Sequence, residues 1–396
     1  MPPPAVSARV DRRHLLVVIS RDFGEFGMAQ AFLRDLAAHV DVDWRVPPAL
    51  HALNPRVGAQ AATPCTPYRD GQEIIDALQA RPPAALLLFS GHLLVPDGLM
   101  GLWGLRRLVR AAARLKVPLI TSDPFLGLMR DFRLDDMVVQ QVPKHRGASW
   151  FRRSRIRLST FVKCRAISRV LAPAEVVSPF PAAPGASGAG AVRAYCQAPA
   201  DTGTTEAHWV FVIADFDLRI QLADHGEAAF TDQLLQRLHD GCRHGRAVTL
   251  IAPAALAGRL AGRVGPGVSL APPLDIESFR QRVGTAERAF YWNMVSHSLV
   301  QRLVTLKPVH FFDRGHVARV MPRLFGQAMA TYYGGHQPAL HPLDQPLDPA
   351  DLARQQAAFV AMHQARLHAL RQLPPPRQVL CEVVGQAMGQ QDVGGP

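Results

Sequence analysis

The chain has 396 residues, of which 48% are hydrophobic, 19% charged and 7% aromatic. Such a chain buries a substantial core, which excludes wholesale disorder, and its length suits two ordinary domains or one large one. Lysine and arginine outnumber aspartate and glutamate 44 to 32, a net charge of +12. The five cysteines (Cys65, Cys164, Cys196, Cys242, Cys381) are scattered without metal-like spacing, which argues against a disulfide scaffold or structural zinc and fits a reducing compartment. No apolar run approaches the roughly 18 residues of a membrane span. The opening apolar run continues as a strand rather than ending as a signal peptide does, so a cytoplasmic protein is expected.

The first half reads as alternating strands and helices. His14–Ser20 is a short, β-branched apolar run followed by the polar, glycine-containing stretch RDFGEFG, expected as a loop. A helix should follow, with Phe32, Leu33, Leu36 and Val40 on one stripe. Val42–Val46 is a second strand, Asp70 caps a helix over Ile74–Leu78, and Ala84–Phe89 is a buried strand. Leu102–Lys116 then reads as a helix and Pro118–Thr121 as a strand. Strands separated by helix-length patterns give βαβ units and a parallel sheet.

Between Met137 and Glu175 no acidic residue occurs, whereas Lys144, Arg146, Arg152, Arg153, Arg155, Arg157, Lys163, Arg165 and Arg169 supply nine positive charges. Trp150, Phe151 and Phe161 interleave them, a pattern suited to an interfacial segment as well as to a solvated basic face. The segment 178–207 is dominated by proline, glycine, alanine and small polar residues and reads as a linker or long surface loop. The βα rhythm then restarts: strands at His208–Ile213, Ala247–Ile251, Val268–Ala271, Ala289–Trp292 and Val309–Phe312, with helices at Thr231–Leu238, Ala254–Val264, Ile276–Val283 and Ser298–Val304. Asp348 and Pro349 form a cap and first-turn pair that opens a long amphipathic helix with Leu352, Phe359, Val360, Leu367 and Leu370. The expected organisation is an α/β domain over 1–177, the linker 178–207, a second α/β domain over 208–345, the long helix 346–374 and a flexible tail 375–396.

In open parallel sheets, ligands bind at the carboxyl ends of strands. That rule selects Asp22, Gly24, Glu25 and Gly27 after the first strand, His92 after Ala84–Phe89, and Asp123 after Pro118–Thr121. In the second half it selects Asp215, Asp217 and Arg219, then Asn293, Ser296, His297 and Ser298, and finally Asp313, Arg314 and His316. Ser296–Ser298 stands at a predicted helix N-terminus, where unpaired N–H groups and the dipole favour phosphate.

The stretch Ser278–His316, running helix, strand, small polar loop, helix, Lys-Pro and strand, resembles the nucleotide-binding domain of glycosyltransferases of the GT-B fold. The resemblance implies two Rossmann-like, doubly wound domains facing a cleft, a nucleotide-sugar donor on the second domain and an acceptor on the first. It places Ser298 near the diphosphate, Asn293 where inverting members carry a phosphate-binding histidine and retaining members a glutamate, and Gln301 where most members carry the ribose-holding glutamate. Pro308-Val309 matches the turn into the next strand, and Asp313 corresponds to an acidic residue facing the donor sugar. Asn293 and Gln301 depart from the usual side chains, although both amides can hydrogen-bond hydroxyls or phosphate.

In the same picture Gly24 and Gly27 lie in a loop over the donor phosphates. His92, Asp123, Asp22 and Glu25 are the candidate bases for the acceptor hydroxyl, and Arg219 and Arg314 are the cations for the leaving diphosphate. Asp217 and His297 complete the donor-side set. The resemblance implies no metal or other cofactor, since helix N-termini and arginines are at hand for the diphosphate. The Lys144–Arg169 segment is then expected to meet an anionic membrane or a phosphate-bearing lipid acceptor, at the inner face of the cell membrane, in polysaccharide or glycoconjugate synthesis. No nucleic-acid module surrounds that segment, which argues against nucleic acid.

The chain has no GxxxxGK[ST], GxSxG, HExxH or GxGxxG arrangement, which sets aside P-loop, α/β-hydrolase, zincin and nicotinamide chemistry. Two alternatives to a glycosyltransferase stay open: a non-catalytic binding or scaffold protein that kept this fold, favoured by Asn293 and Gln301, and a sugar-nucleotide epimerase.

Overall fold

The structure is a computed structural model and describes residues 11–36, 40–57, 63–122, 132–181, 192–197, 204–271 and 273–392. The chain divides into two compact units. The first comprises Met1–Phe132, Val162–Gln197 and Leu373–Pro396, the second Arg133–Phe161 and Ala198–Gln372.

In chain order, the first unit begins with β1 (Asp11–Ile19), α1 (Phe23–Leu33), β2 (Asp41–Val46), α2 (Pro48–Leu53), β3 (Arg56–Val57), β4 (Thr63–Pro67), α3 (Gly71–Ala80), β5 (Pro83–Phe89), α4 (Leu102–Arg114) and β6 (Leu119–Ser122). The helix α5 (Trp150–Val170), whose first twelve residues are grouped with the second unit, leads into β7 (Glu175–Ser178) and β8 (Val192–Ala194). The sheet order is β3-β4-β2-β1-β5-β6-β7-β8, parallel except for β3 against β4. Every residue of β5 is buried, as a strand covered on both faces requires. Leu16, Val18, Leu86 and Leu88 point to one face, where they meet α3, α4 and the end of α5 through Ile74, Leu78, Leu105, Leu108, Ile167 and Leu171. On the other face Phe26 and Phe32 of α1 meet Trp44 and Phe89, ring centroids 5.9 Å apart in both pairs.

The second unit carries β9 (Glu206–Val212), α6 (Asp215–His225), α7 (Glu227–Arg243), β10 (Ala247–Ile251), α8 (Ala254–Leu260), β11 (Val268–Ala271), α9 (Ile276–Thr285), β12 (Ala286–Tyr291), α10 (His297–Val304) and β13 (Val309–Phe311). After them come α11 (His316–Val320), α12 (Pro322–Tyr333) and α13 (Pro349–Arg371). Its sheet is wholly parallel, in the order β11-β10-β9-β12-β13. Phe211 and Phe290 stack at 4.5 Å in a core completed by Trp209, Leu234, Leu250 and Trp292. Asp348 caps α13 by accepting from Ala350 N, with Pro349 in the first turn as expected.

Four expectations change. The stretch RDFGEFG is not a loop: Asp22 Oδ1 accepts from Glu25 N, α1 begins at Phe23, and Gly24 and Gly27 lie inside the helix. Burial of Phe26 starts the apolar stripe a turn earlier than the sequence pattern suggested, and the helix ends at Leu33, before Leu36. The segment read as linker contains β8, an edge strand on β7, where Arg193 pairs with Glu175 at 3.1 Å and Glu382 at 3.4 Å. The segment read as a flexible tail forms α14 (Pro376–Asp392), which buries Val379, Leu380 and Val383 and packs beside α1 of the first unit.

Candidate functional site

Each sheet has one place where the strand order reverses. In the first unit the chain leaves β1 for β2 and returns on the other side as β5. In the second it runs β9, β10, β11 and returns beside β9 as β12. Crevices at the carboxyl ends of such strand pairs are where open α/β sheets hold ligands.

The second-unit crevice is framed by the start of α6 and by the loops after β12 and β13. Those two loops clasp each other. Met294 N donates to Arg314 O at 3.2 Å, Tyr333 Oη donates to Met294 O at 2.7 Å, and Asn293 Oδ1 accepts from Val295 N at 2.9 Å. Gly315 has φ +91°, and a Cβ there would stand 2.6 Å from the Asn293 side chain. Only glycine fits, on both backbone and steric grounds. The amide of Asn293 therefore shapes its own loop.

Ser296 precedes α10 and its Oγ is 2.9 Å from Ser298 Oγ, while His297 opens the helix with Nδ1 3.5 Å from Tyr332 Oη. One turn further on, Gln301 is buried and its Nε2 has no hydrogen-bond acceptor among the described residues. A buried amide donor left in that state costs free energy unless a ligand or water meets it. Two serine hydroxyls, the first N–H groups of α10 and the Gln301 amide are thus the polar groups this loop offers to a phosphate or a hydroxyl.

The acidic residues beside them are already engaged. Asp217, buried in the first turn of α6, accepts from His316 N at 2.8 Å and lies 3.1 Å from His316 Nδ1. Asp313 accepts from Gln221 Nε2 and Arg319 Nη2, each at 2.5 Å, and from Gly315 N at 3.2 Å. Arg319 also bonds Asp224, which takes Arg146 as well, so those cations hold Asp224 below the usual carboxylate range against the opposing effect of burial. Asp313 is therefore an anchor between loop and helix, a correction to the expectation that it faces a sugar. Arg146 of the basic segment, though exposed, is thereby paired internally with Asp224. Arg219 pairs with Asp215 and lies 5.6 Å over the ring of exposed Phe216, whereas exposed Arg314 donates to Gln337 Oε1 at 3.2 Å. Of the two arginines read as leaving-group cations, Arg314 has the weaker internal engagement.

In the first-unit crevice, Ser20 N donates to Phe89 O at 2.7 Å and ties the ends of β1 and β5 together. Asp22 serves as the N-cap of α1. Glu25 is buried and accepts from Ser122 Oγ at 2.5 Å. His92 is buried in the short turn Gly91–Leu93 that follows β5. Gly91 makes that turn possible, since a Cβ there would stand 2.8 Å from Thr121 Oγ1. Asp123 lies outside the described residues.

Several partners were invisible to strand-end reasoning because they come from elements distant in sequence: Gln221, Arg319, Tyr333 and, in the first unit, Asp97. Asp97 accepts from Arg21 N at 3.1 Å, and its carboxyl is raised chiefly by burial and further by the charge of Asp22. A group of three or more His, Cys, Asp or Glu side chains placed to hold a metal does not occur among the described residues.

No family model and no curated protein sequence matches the chain. Solved structures do. The spinosyn forosaminyltransferase SpnP is 11% identical with a TM-score of 0.56, covering 96% of this chain and 100% of its own. UGT2 of Phytolacca americana, complexed with UDP-2-fluoroglucose and pterostilbene, is 12% identical with a TM-score of 0.55 over 95% of this chain and all of its own. The glycosyltransferase VinC in complex with dTDP is 11% identical with a TM-score of 0.52, over 95% and 99%. These likenesses establish the fold: two Rossmann-like α/β units of the GT-B glycosyltransferase type.

Proposed function

We propose that the chain is a glycosyltransferase of hexosyltransferase type that takes a nucleotide-diphosphate sugar on its second unit and a membrane-associated, phosphate-bearing lipid acceptor on its first. The observation that carries the donor part is the loop after β12: clasped rigidly by its neighbour, it presents Ser296, Ser298, the N-terminus of α10 and the unmet Gln301 amide at the reversal point of the sheet. In this reading the α10 N–H groups and Ser298 hold the diphosphate, Gln301 meets a ribose hydroxyl, and Arg314 turns from Gln337 to the leaving phosphate. His92 accepts the proton of the acceptor hydroxyl as its oxygen bonds the anomeric carbon, and the nucleoside diphosphate departs with the bond's electron pair. The fold shared with enzymes solved with UDP-2-fluoroglucose and dTDP supports this choice.

The membrane part rests on the exposed cations and aromatics of 144–169, of which residues 144–161 belong to the second unit and 162–169 to the first; in this reading the protein works in the cytoplasm against an anionic membrane. Among the described residues no helix is long and apolar enough to cross a membrane, so contact would be peripheral.

Thermal shift and calorimetry with UDP, GDP, ADP, CMP and dTDP test the donor site. One nucleotide should raise the melting temperature by mass action. Ser298→Ala and Arg314→Ala should each weaken it about 10- to 150-fold, as expected for losing one hydrogen bond to a charged group, with no change in the ligand-free melt. Unchanged affinity in both variants removes the proposed diphosphate site. A second reading has an observation of its own. Asn293, Asp217 and Asp313 are all committed to internal bonds, as in a protein that binds nucleotide without turning it over. Nucleotide binding without sugar consumption would select it, and conversion of the donor without any acceptor would instead select an epimerase.

A further inference from the structure

Two helices of this protein hold nearly all of its excess charge. Arg106, Arg107, Arg110 and Arg114 of α4, with Arg152, Arg153, Arg155, Arg157, Lys163, Arg165 and Arg169 of α5, make eleven cations without one acidic residue. Of the net +12, all but one charge resides there. The same helices concentrate exposed apolar surface. Of eleven large hydrophobic side chains exposed among the described residues, six are Leu102, Trp103, Trp150, Phe151, Leu158 and Val162.

The geometry of α4 explains which groups face out. Leu105, Leu108, Ala111 and Ala112 are buried toward the sheet, so Trp103, Arg107, Arg110 and Arg114, at spacings of four, three and four, share the opposite side. With Ile75, Gln79 and Ala111 they line a groove against α3 of about 330 Å³. Trp103 is 64% exposed, with the Arg106 guanidinium 5.7 Å from its ring centre. Arg107 Nη2 donates to Gln72 Oε1 at 2.7 Å, which fixes one wall. The acids on neighbouring α3 are occupied locally: Glu73 accepts from Arg69 N and Asp76 from Gln72 Nε2. None of the four α4 arginines forms an ion pair among the described residues. Within the same unit, α5 adds exposed Val162, Lys163, Arg165 and Arg169 above its buried Cys164 and Ile167.

We propose that the outward face of α4, with its arginine-lined groove at the centre, docks the protein on an anionic phospholipid surface alongside the exposed stripe of α5. This deepens the membrane part of the proposed function and does not depend on sugar transfer. Guanidinium groups bind lipid phosphates in pairs of hydrogen bonds, and an amphipathic tryptophan sits at headgroup depth. Aliphatic Leu102 and Val162 among the arginines of the first unit gain nothing from the stacked bases of a nucleic acid, but they bury against acyl chains. Like charges crowded on two helices without acids repel one another, an arrangement that a polyanionic surface relieves.

The test is sedimentation of the full chain with phosphatidylcholine vesicles, with and without phosphatidylglycerol. Wild type should bind only the anionic vesicles. Combining Arg107→Gln, Arg110→Gln and Arg114→Gln should weaken binding about 100-fold, given the worth of each basic residue near an anionic surface. The matching Arg→Lys triple should retain most of it, and Trp103→Ser should weaken it several-fold. All three variants should melt as wild type does and keep its nucleotide-induced shift, so failure of the donor site and failure of the docking face read out separately. The proposal is overturned by absent binding to anionic vesicles, by unchanged binding in both the Gln triple and Trp103→Ser, or by α4-dependent retention of duplex DNA stronger than that of vesicles at equal salt.

Discussion

The helices around β9–β11 and the pair α4–α5 use arginine in opposite ways. In the first region Arg259 meets Glu227 at 3.0 Å, Arg263 meets Asp232 at 2.5 Å, and Arg280 meets Glu277 at 3.9 Å. Deeper in, Asp240 takes both Arg237 and Arg243, and its Oδ2 accepts from Leu347 N at 3.0 Å. On α4 and α5 the arginines have no acid within their own helices. A chain that was merely arginine-rich would distribute cations evenly among carboxylates. Segregation of this kind has one region's charge holding the protein together, while the other's is the charge that the proposed docking face would offer to an anionic surface.

The comparison breaks most visibly where a charge is internal. Asp240→Ala leaves Arg237, buried and already lowered from its usual pKa by that burial, without its carboxylate, and leaves Leu347 N without its acceptor. The expected loss is about 3 to 5 kcal/mol of stability, the range for stranding one member of a buried ion pair. Denaturant titration measures it. Gln substitutions along α4 should stay within about 0.5 kcal/mol of wild type, as exposed positions do. Equal losses in the two regions would end the distinction.

A second contrast concerns pH. His363 is buried on α13 between Phe359 and Tyr333, with ring centroids 4.3 and 5.8 Å away. Burial first, and then the charges of Arg366 and His336, lower its pKa to about 4. His208, His310 and His341 of the same unit are lowered as well, in each case mainly by burial. Above about pH 6.5 these rings are neutral folded or unfolded and contribute no pH dependence. As pH falls from there toward 4, the unfolded chain takes up protons that the folded chain refuses, so stability declines, and for His363 the decline stops near pH 4. His363→Leu should recover on the order of 2 kcal/mol at the acid end of that window, at 1.36 kcal/mol per pKa unit, and nothing at pH 8. A wild-type melting temperature that is flat from pH 7 to 4.5 would contradict this.

Much of the fold was legible because buried parallel strands announce themselves. Ala247–Ile251 and Val268–Ala271 have the bounds their apolar runs suggested, and Asp70 caps α3 through Gln72 N and Glu73 N. The weak spots have physical reasons. Prolines in Thr63–Pro67 disguise β4, a short strand near the sheet edge. The acids that open α6 read as loop residues at a strand end, and the sequence pattern gave Arg302 no role. Instead Arg302 is fully buried and donates to the carbonyls of Pro308, Val283, Ala286 and Glu287, its pKa lowered by burial to about 10. For the candidate site, the strand-end rule selected Asn293, Ser298 and His316, which stand in the loops and helix starts at the second-unit crevice. It could not find Arg319 or Tyr333, which arrive from α11 and α12 and leave no local trace. The α4 stripe was present in LWGLRRLVRAAAR all along, but its meaning depended on knowing which side of the helix the sheet covers.

The smallest effect is the sharpest control on the comparison. Arg263 lies at the surface, paired with Asp232 and with Nη1 3.4 Å from Thr231 Oγ1. An exposed pair of this kind is worth at most about 1 kcal/mol, less in salt, because water screens it and two long side chains must be held still. Arg263→Gln should therefore lower stability by no more than that and leave binding to anionic vesicles unchanged. Removing one α4 arginine should do the reverse, leaving the melt in place while vesicle affinity falls. Both substitutions delete one positive charge from the same net total. A matched loss of vesicle binding would mean that the membrane senses only the net charge, whereas loss confined to the α4 variant would mean that the arrangement of charge on that helix is what it reads.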